Sequence, residues 1–229
     1  MNIEGYIKIR IKKARIILSG LDENAQEEIL FSDINDIRTK LLEILDYTIS
    51  HFPGYKGNAK LYFPLLSPES CSVLDKDRRF VNIKKELGLV GAGFVEDAQF
   101  PIQKNNGALL LLSGSIKHRN KDRLQENGKV AIEGTYQTFG DGPKVSQDMH
   151  GNLRIGDGFI FGGENNVFQN CTFSDGKGAT VLNLVTKRVQ GRTLLVEKDK
   201  KEYEVYIYQW LDSMIQTVEG IYELWRKQI

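Results

Sequence analysis

The spacing of apolar residues changes twice along this chain, running in threes and fours toward both ends and in twos through the middle. Ile34, Ile37, Leu41, Ile44, Leu45 and Thr48 recur at the helical interval and predict an α-helix with one buried face. Ser32 or Asp33 opens it by accepting a first-turn N–H, Asp36 adds favourable negative charge there, and Pro53-Gly54 ends it. Segment 6–18 fits either period. Ile7, Ile9 and Ile11 alternate as in a strand, while Ile9, Lys13, Ile16 and Ile17 suit a helix, and the lack of turn residues favours the helix. Segment 60–66 reads as a short strand closed near Pro64. Segment 75–87 reads as a helix with Phe80, Ile83 and Leu87 inward and Gly88 as its stop. Segment 107–124 reads as a further helix, apolar in its first half and charged in its second.

From Lys129 the period is two. Val130, Ile132, Tyr136 and Phe139, then Leu153 and Ile155, Phe159 and Phe161, Val167 and Phe173, 181–189 and 194–196 are strand-like. Three Asp-Gly pairs, Asp141-Gly142, Asp157-Gly158 and Asp175-Gly176, punctuate this stretch; the pair is favoured in tight hairpins that demand positive φ. The expectation is an antiparallel meander. Asn165-Asn-Val-Phe-Gln-Asn-Cys-Thr-Phe173 also fits one rung of a parallel β-helix, so a short β-solenoid is the alternative, although such folds need several stacked rungs.

The closing segment is strongly amphipathic: Ile207, Trp210, Leu211, Met214, Ile215, Val218, Ile221, Tyr222 and Trp225 share one wide stripe. The fold class expected is therefore α+β. Residues 1–128 form a mainly helical region, 129–198 a β-rich region, and 203–229 a helix packing back on the N-terminal region. The stripe is wide enough to suggest an interface between copies built on Trp210, Met214, Tyr222 and Trp225, hence a homo-oligomer.

Composition narrows the function classes. A formal net charge of +1 gives no global attraction to polyanions, and 41% hydrophobic with 27% charged residues is ordinary for a globular protein. No apolar run reaches the roughly 18–20 residues of a membrane span, and Lys8, Arg10, Lys12 and Lys13 interrupt the apolar N-terminal positions, so no membrane partner or secretory signal is expected. Cys71 and Cys171 are far apart and read as reduced thiols in a cytoplasmic protein.

Candidate chemistry is sparse. Lys117, His118, Arg119, Lys121 and Arg123 form a basic cluster able to hold phosphate oxygens, and a solvated helix end is the competing reading. His51 reads as a helix end and His150 as a turn. No nucleophile stands beside a base and its orienting partner, so no catalytic residue is assigned. Cys71 carries no supporting motif, and Cys171 reads as packed in the sheet. No ligand spacing marks a metal site, and no cofactor is expected. Gly88-Leu-Val-Gly-Ala-Gly93 fails as a dinucleotide loop because Glu96 takes the place of its third glycine. Asp175 with Glu197-Lys-Asp-Lys200 approaches a metal-dependent nuclease pattern, but the lysine is displaced by one position and falls on the opposite face of a strand.

Ile3-Glu-Gly-Tyr-Ile-Lys-Ile-Arg10, Leu61-Tyr-Phe-Pro64 and Lys117-His-Arg-Asn-Lys-Asp-Arg-Leu-Gln125, with the Gly-rich β segment and the closing helix, together resemble an uncharacterised, mainly bacterial protein family. That resemblance implies one co-inherited architecture and transfers no catalytic residue. The function expected is a non-catalytic binding or assembly protein that self-associates. The alternative is a nucleic-acid-binding protein or nuclease using the basic cluster.

Overall fold

Four helices and nine strands occur among the described residues of the computed structural model, namely 2–57, 60–66, 74–105, 108–112, 122–126, 128–198 and 200–229. Every strand pairing is antiparallel, so the protein is α+β with a central meander, and the solenoid alternative falls away. The chain divides into two compact units, one of residues 1–121, 197–199 and 211–229, the other of 122–196 and 200–210.

The first unit is helical. Helix α1 (Ile3–Ser19) is capped by Asn2, whose side chain accepts the Glu4 N–H, and it buries Ile7, Ala14 and Leu18. Helix α2 (Glu27–Ser50) begins earlier than Ser32, because Glu27 and Glu28 already supply first-turn negative charge and Leu30 joins the buried stripe. Tyr6 of α1 stacks on Tyr47 of α2 at 4.4 Å between ring centroids, and Tyr47 stacks on His51 at 4.8 Å. Helix α3 (Arg78–Lys104) is capped by Asp77, whose carboxylate accepts the Arg79 and Phe80 N–H groups. Gly88, at φ 68°, breaks it into two helical pieces; the expected stop is real, but a helix resumes at once. Gly88 thus makes a helix kink, and Gly91 and Gly93 lie within the resumed helix rather than in a phosphate loop.

Two expected elements in this unit are corrected. Segment 60–66 forms no strand: its Phe63 N–H donates to the Asp46 carboxylate of α2 at 3.0 Å, and the Pro64 carbonyl accepts from Gln99 Nε2. Side chains take the bonds that a neighbouring strand would have taken, while Leu61, Phe63, Leu65 and Leu66 are buried. Of the helix expected over 107–124, residues 113–121 lie outside the described residues; on either side of them the chain forms one tight turn, Ala108–Leu111, and strand β1 (Arg123–Gln125).

Helix α4 (Ile207–Arg226) closes the chain. The expected start at residue 203 is displaced by strand β9 (Lys201–Val205), where Glu202, Tyr203, Glu204 and Val205 alternate and pair with β8 (Thr193–Lys198). The part of α4 in the helical unit is tied to α1. Arg15 forks onto Glu219, Nε to Oε1 at 3.1 Å and Nη2 to Oε2 at 2.7 Å, and its third nitrogen reaches Asp212.

The second unit contains three three-stranded sheets. Strand β2 (Lys129–Gly140) pairs along its whole length with β7 (Gly178–Val189), and β6 (Val167–Ser174) lies on the other side of β7. Strands β3 (Val145–Gln147), β4 (Leu153–Ile155) and β5 (Phe159–Phe161) form the second sheet, and β1, β8 and β9 the third. Leu153 and Ile155 of β4 meet Phe168, Leu182 and Leu184 in one apolar cluster. Phe161 stands edge-on to Phe168 at 5.0 Å, and Cys171 and Phe173 flank the cluster, as strand alternation implied for Cys171.

All three Asp-Gly pairs lie between strands, yet only Gly176 itself takes positive φ, at 82°. In the other two turns the preceding glycines, Gly140 and Gly156, carry the left-handed conformation. Gly142 instead serves close approach: a Cβ there would stand 2.5 Å from the Ala179 carbonyl oxygen.

Candidate assembly surface

Trp210, Met214, Tyr222 and Trp225 do not form an exposed interface. Each is buried by the chain itself, with relative exposures of 0, 0, 4 and 1%. Their apolar area is already removed from water within one copy, which leaves little for a partner to cover. Of the basic cluster, Lys117, His118, Arg119 and Lys121 lie outside the described residues, as does Cys71. Arg123 opens β1, and its guanidinium is paired with Glu202 of β9. In the nuclease pattern, Asp175 is occupied in the β6–β7 turn, accepting the Lys177 N–H at 3.0 Å, and Asp199 lies outside the described residues.

His150 proves to be held more firmly than a solvated turn residue. The buried Asp148 carboxylate accepts the N–H groups of His150 and Asn152, both at 2.9 Å, and the Asn152 side-chain amide at 3.0 Å. His150 Nδ1 lies 3.1 Å from the Glu204 carbonyl oxygen, so in the neutral ring Nδ1 carries the proton. The residue lines a cleft of about 360 Å³ with Glu202, Tyr203, Glu204 and Arg188. The carboxylates of that cleft are engaged elsewhere, Glu204 by the Thr193 hydroxyl at 2.7 Å and Glu202 by Arg123. Neither is bonded to the imidazole. The cleft thus holds a rigid turn, and no base and orienter are linked as an acid–base pair requires.

A different feature stands out in the second unit. In the β2–β7–β6 sheet, β2 and β6 are both edge strands among the described residues, and a bare edge offers a row of main-chain donors and acceptors. Strand β6 is blunted. Its ladder slips between Phe168 and Cys171, Asn170 sits at φ 50°, and the Asn170 N–H is taken by the Asn183 side chain at 2.8 Å. Strand β2 is less interrupted: Gly134 sits at φ 124°, but the register with β7 is unbroken over twelve residue pairs, and all of 133–140 is exposed.

Which groups of β2 face outward follows from its closed end. The Val130 N–H donates to the Tyr206 hydroxyl at 2.8 Å, and the Val130 carbonyl accepts from Gln147 Nε2 at 2.8 Å. Both main-chain groups of Val130 therefore point away from β7. In an antiparallel strand the direction repeats every second residue. Ile132, Gly134, Tyr136 and Thr138 thus turn their main-chain groups to the open edge, while 131, 133, 135, 137 and 139 bond to β7. Between Val130 and Gly140 the only charged residue is Glu133, and there is no proline. Tyr136 and Phe139, 55% and 50% exposed, stand beside this edge. The sequence supplied the signal, a long alternating strand with a single charge, but not which strand would end a sheet.

No family model matches the chain, and comparison with curated proteins and with solved structures likewise finds no match.

Proposed function

We propose that this chain is a non-catalytic assembly protein that self-associates through the edge of β2. The observation that carries the reading is the contrast between the two edges of one sheet: β6 is bulged and its Asn170 N–H occupied, whereas 133–140 of β2 is straight in register and exposed. Edges that natural proteins keep monomeric are covered, charged, bulged or interrupted by proline, whereas over 134–140 β2 carries no charge, no slip in register and no proline. Adding a strand satisfies its outward donors and acceptors directly. One such ladder buries less than the roughly 1,200–2,000 Å² typical of a stable interface, so association is reversible and follows concentration. The basic-cluster reading gains no support, since Arg123, its one described member, is already paired with Glu202.

Light scattering on the full chain across a dilution series tests the proposal, beside Tyr136→Lys, which sets a charge on the edge while leaving the β7 ladder intact. The wild type is expected to rise from monomer toward dimer mass and the variant to stay monomeric with an unchanged circular dichroism spectrum. A wild type that remains monomeric up to its solubility limit would overturn the reading, as would a variant that dimerises equally well.

A further inference from the structure

Resting on that self-association, we infer the register of the contact: two β2 strands pair antiparallel about a two-fold axis beside Thr135, so that Ile132 of one copy faces Thr138 of the other and Gly134 faces Tyr136.

Two arguments select this register. The first is hydrogen-bond parity. The outward groups belong to Ile132, Gly134, Tyr136 and Thr138, because Val130 fixes the phase. Only an axis at Thr135 matches all four against the same four on the second copy. An axis at Tyr136 sets Ile132 against Gly140, the left-handed residue at φ 62° that begins the turn. An axis at Gly134 sets Thr138 against Val130, whose N–H and carbonyl are already engaged by Tyr206 and Gln147.

The second argument is the fit of side chains. Gly134 has no side chain, and none is tolerated: at φ 124° a Cβ would stand 2.3 Å from the Asn183 carbonyl oxygen. The bare backbone leaves a gap on the edge, and the half-exposed Tyr136 ring of the second copy lies opposite to cover it. Thr135 meets Thr135 across the axis, a pairing that sheets favour.

Charge does not oppose it: Glu133 of each copy faces the uncharged Gln137 of the other, so no like charges meet within the ladder. A two-fold contact must be self-complementary, and the Thr135-centred register is so in backbone and shape together.

Site-directed disulfide trapping tests the register. With Cys71 and Cys171 replaced by serine, single cysteines at Thr135, Tyr136 and Gln137 are oxidised in the full-length protein. Thr135 on the axis is a non-hydrogen-bonded pair with Cα atoms about 4.5 Å apart, inside the roughly 4.4–6.8 Å range that a disulfide spans. Thr135→Cys is expected to run as a covalent dimer on a non-reducing gel, and Tyr136→Cys and Gln137→Cys as monomers. Preferential trapping at Tyr136→Cys would overturn the register while leaving edge association standing. No trapping at any position in a protein that light scattering shows to be dimeric would move the contact off β2. A monomer in light scattering would remove both claims.

Discussion

The hydroxyl of Tyr206 accepts the main-chain N–H of Val130 at 2.8 Å, and that bond marks where the edge of β2 stops being available. The tyrosine is buried to 9% exposure, and its own N–H donates to the Met149 carbonyl at 2.8 Å. Its ring lies so close to Gly151, itself at φ 78°, that a Cβ built there would stand 2.3 Å from ring atom Cε2. One residue thus joins the Asp148–Asn152 turn to the closed end of β2. Replacing Tyr206 by Phe leaves the ring in place and strands the Val130 N–H in a buried site. The expected cost is about 1–3 kcal/mol, read as a lower urea midpoint. Gly151→Ala is expected to destabilise at least as much, since it adds both strain and a clash with the ring.

The burial of Trp225 separates folding from assembly. Cutting it to Ala is expected to cost about 3–5 kcal/mol in the helical unit, because the ring sits at 1% exposure. Folded Trp225→Ala protein should associate with the same concentration dependence as wild type. An interface role for this tryptophan would instead appear as a folded monomer of unaltered stability.

Tyr222 carries a pH signature. Burial, and then the neighbouring Glu4 carboxylate that accepts its hydroxyl at 3.3 Å, raise its pKa from 10.0 to about 12. A pKa raised in the folded state contributes stability that is fully present below pH 10 and is lost as pH rises through about 12. Chemical denaturation should therefore show a loss of stability over that alkaline window that is smaller in Tyr222→Phe. Phenolate absorbance should show a late-ionising component that shrinks in Tyr222→Phe.

Much of the architecture was legible in the residues. The stripe from Ile34 to Thr48 and the stripe from Ile207 to Trp225 are helices, Gly88 does break a helix, and the alternation after Lys129 does form antiparallel strands. What failed did so where a distant partner overrode local pattern. Segment 60–66 has strand-like alternation, but Asp46 and Gln99 claim its main-chain groups. The wide stripe of α4 was read correctly as apolar, but part of it was assigned to a second copy as well as to the N-terminal region, because periodicity reports that a face is buried and not what buries it. The open edge was illegible for a related reason. Val130 to Gly140 reads as an ordinary strand, and only the order β2–β7–β6 shows that no strand of the described residues lies beyond it. Within that strand the phase of the outward groups depends on Tyr206, 76 positions away in sequence.

Amide hydrogen exchange along β2, measured on the intact chain at low and high protein concentration, tests the assembly most directly. At high concentration the N–H groups of Ile132, Gly134, Tyr136 and Thr138 are expected to slow, while those of Glu133, Thr135, Gln137 and Phe139, already bonded to β7, stay as they were. Exchange at the four alternate positions that remains fast and independent of concentration would contradict the account.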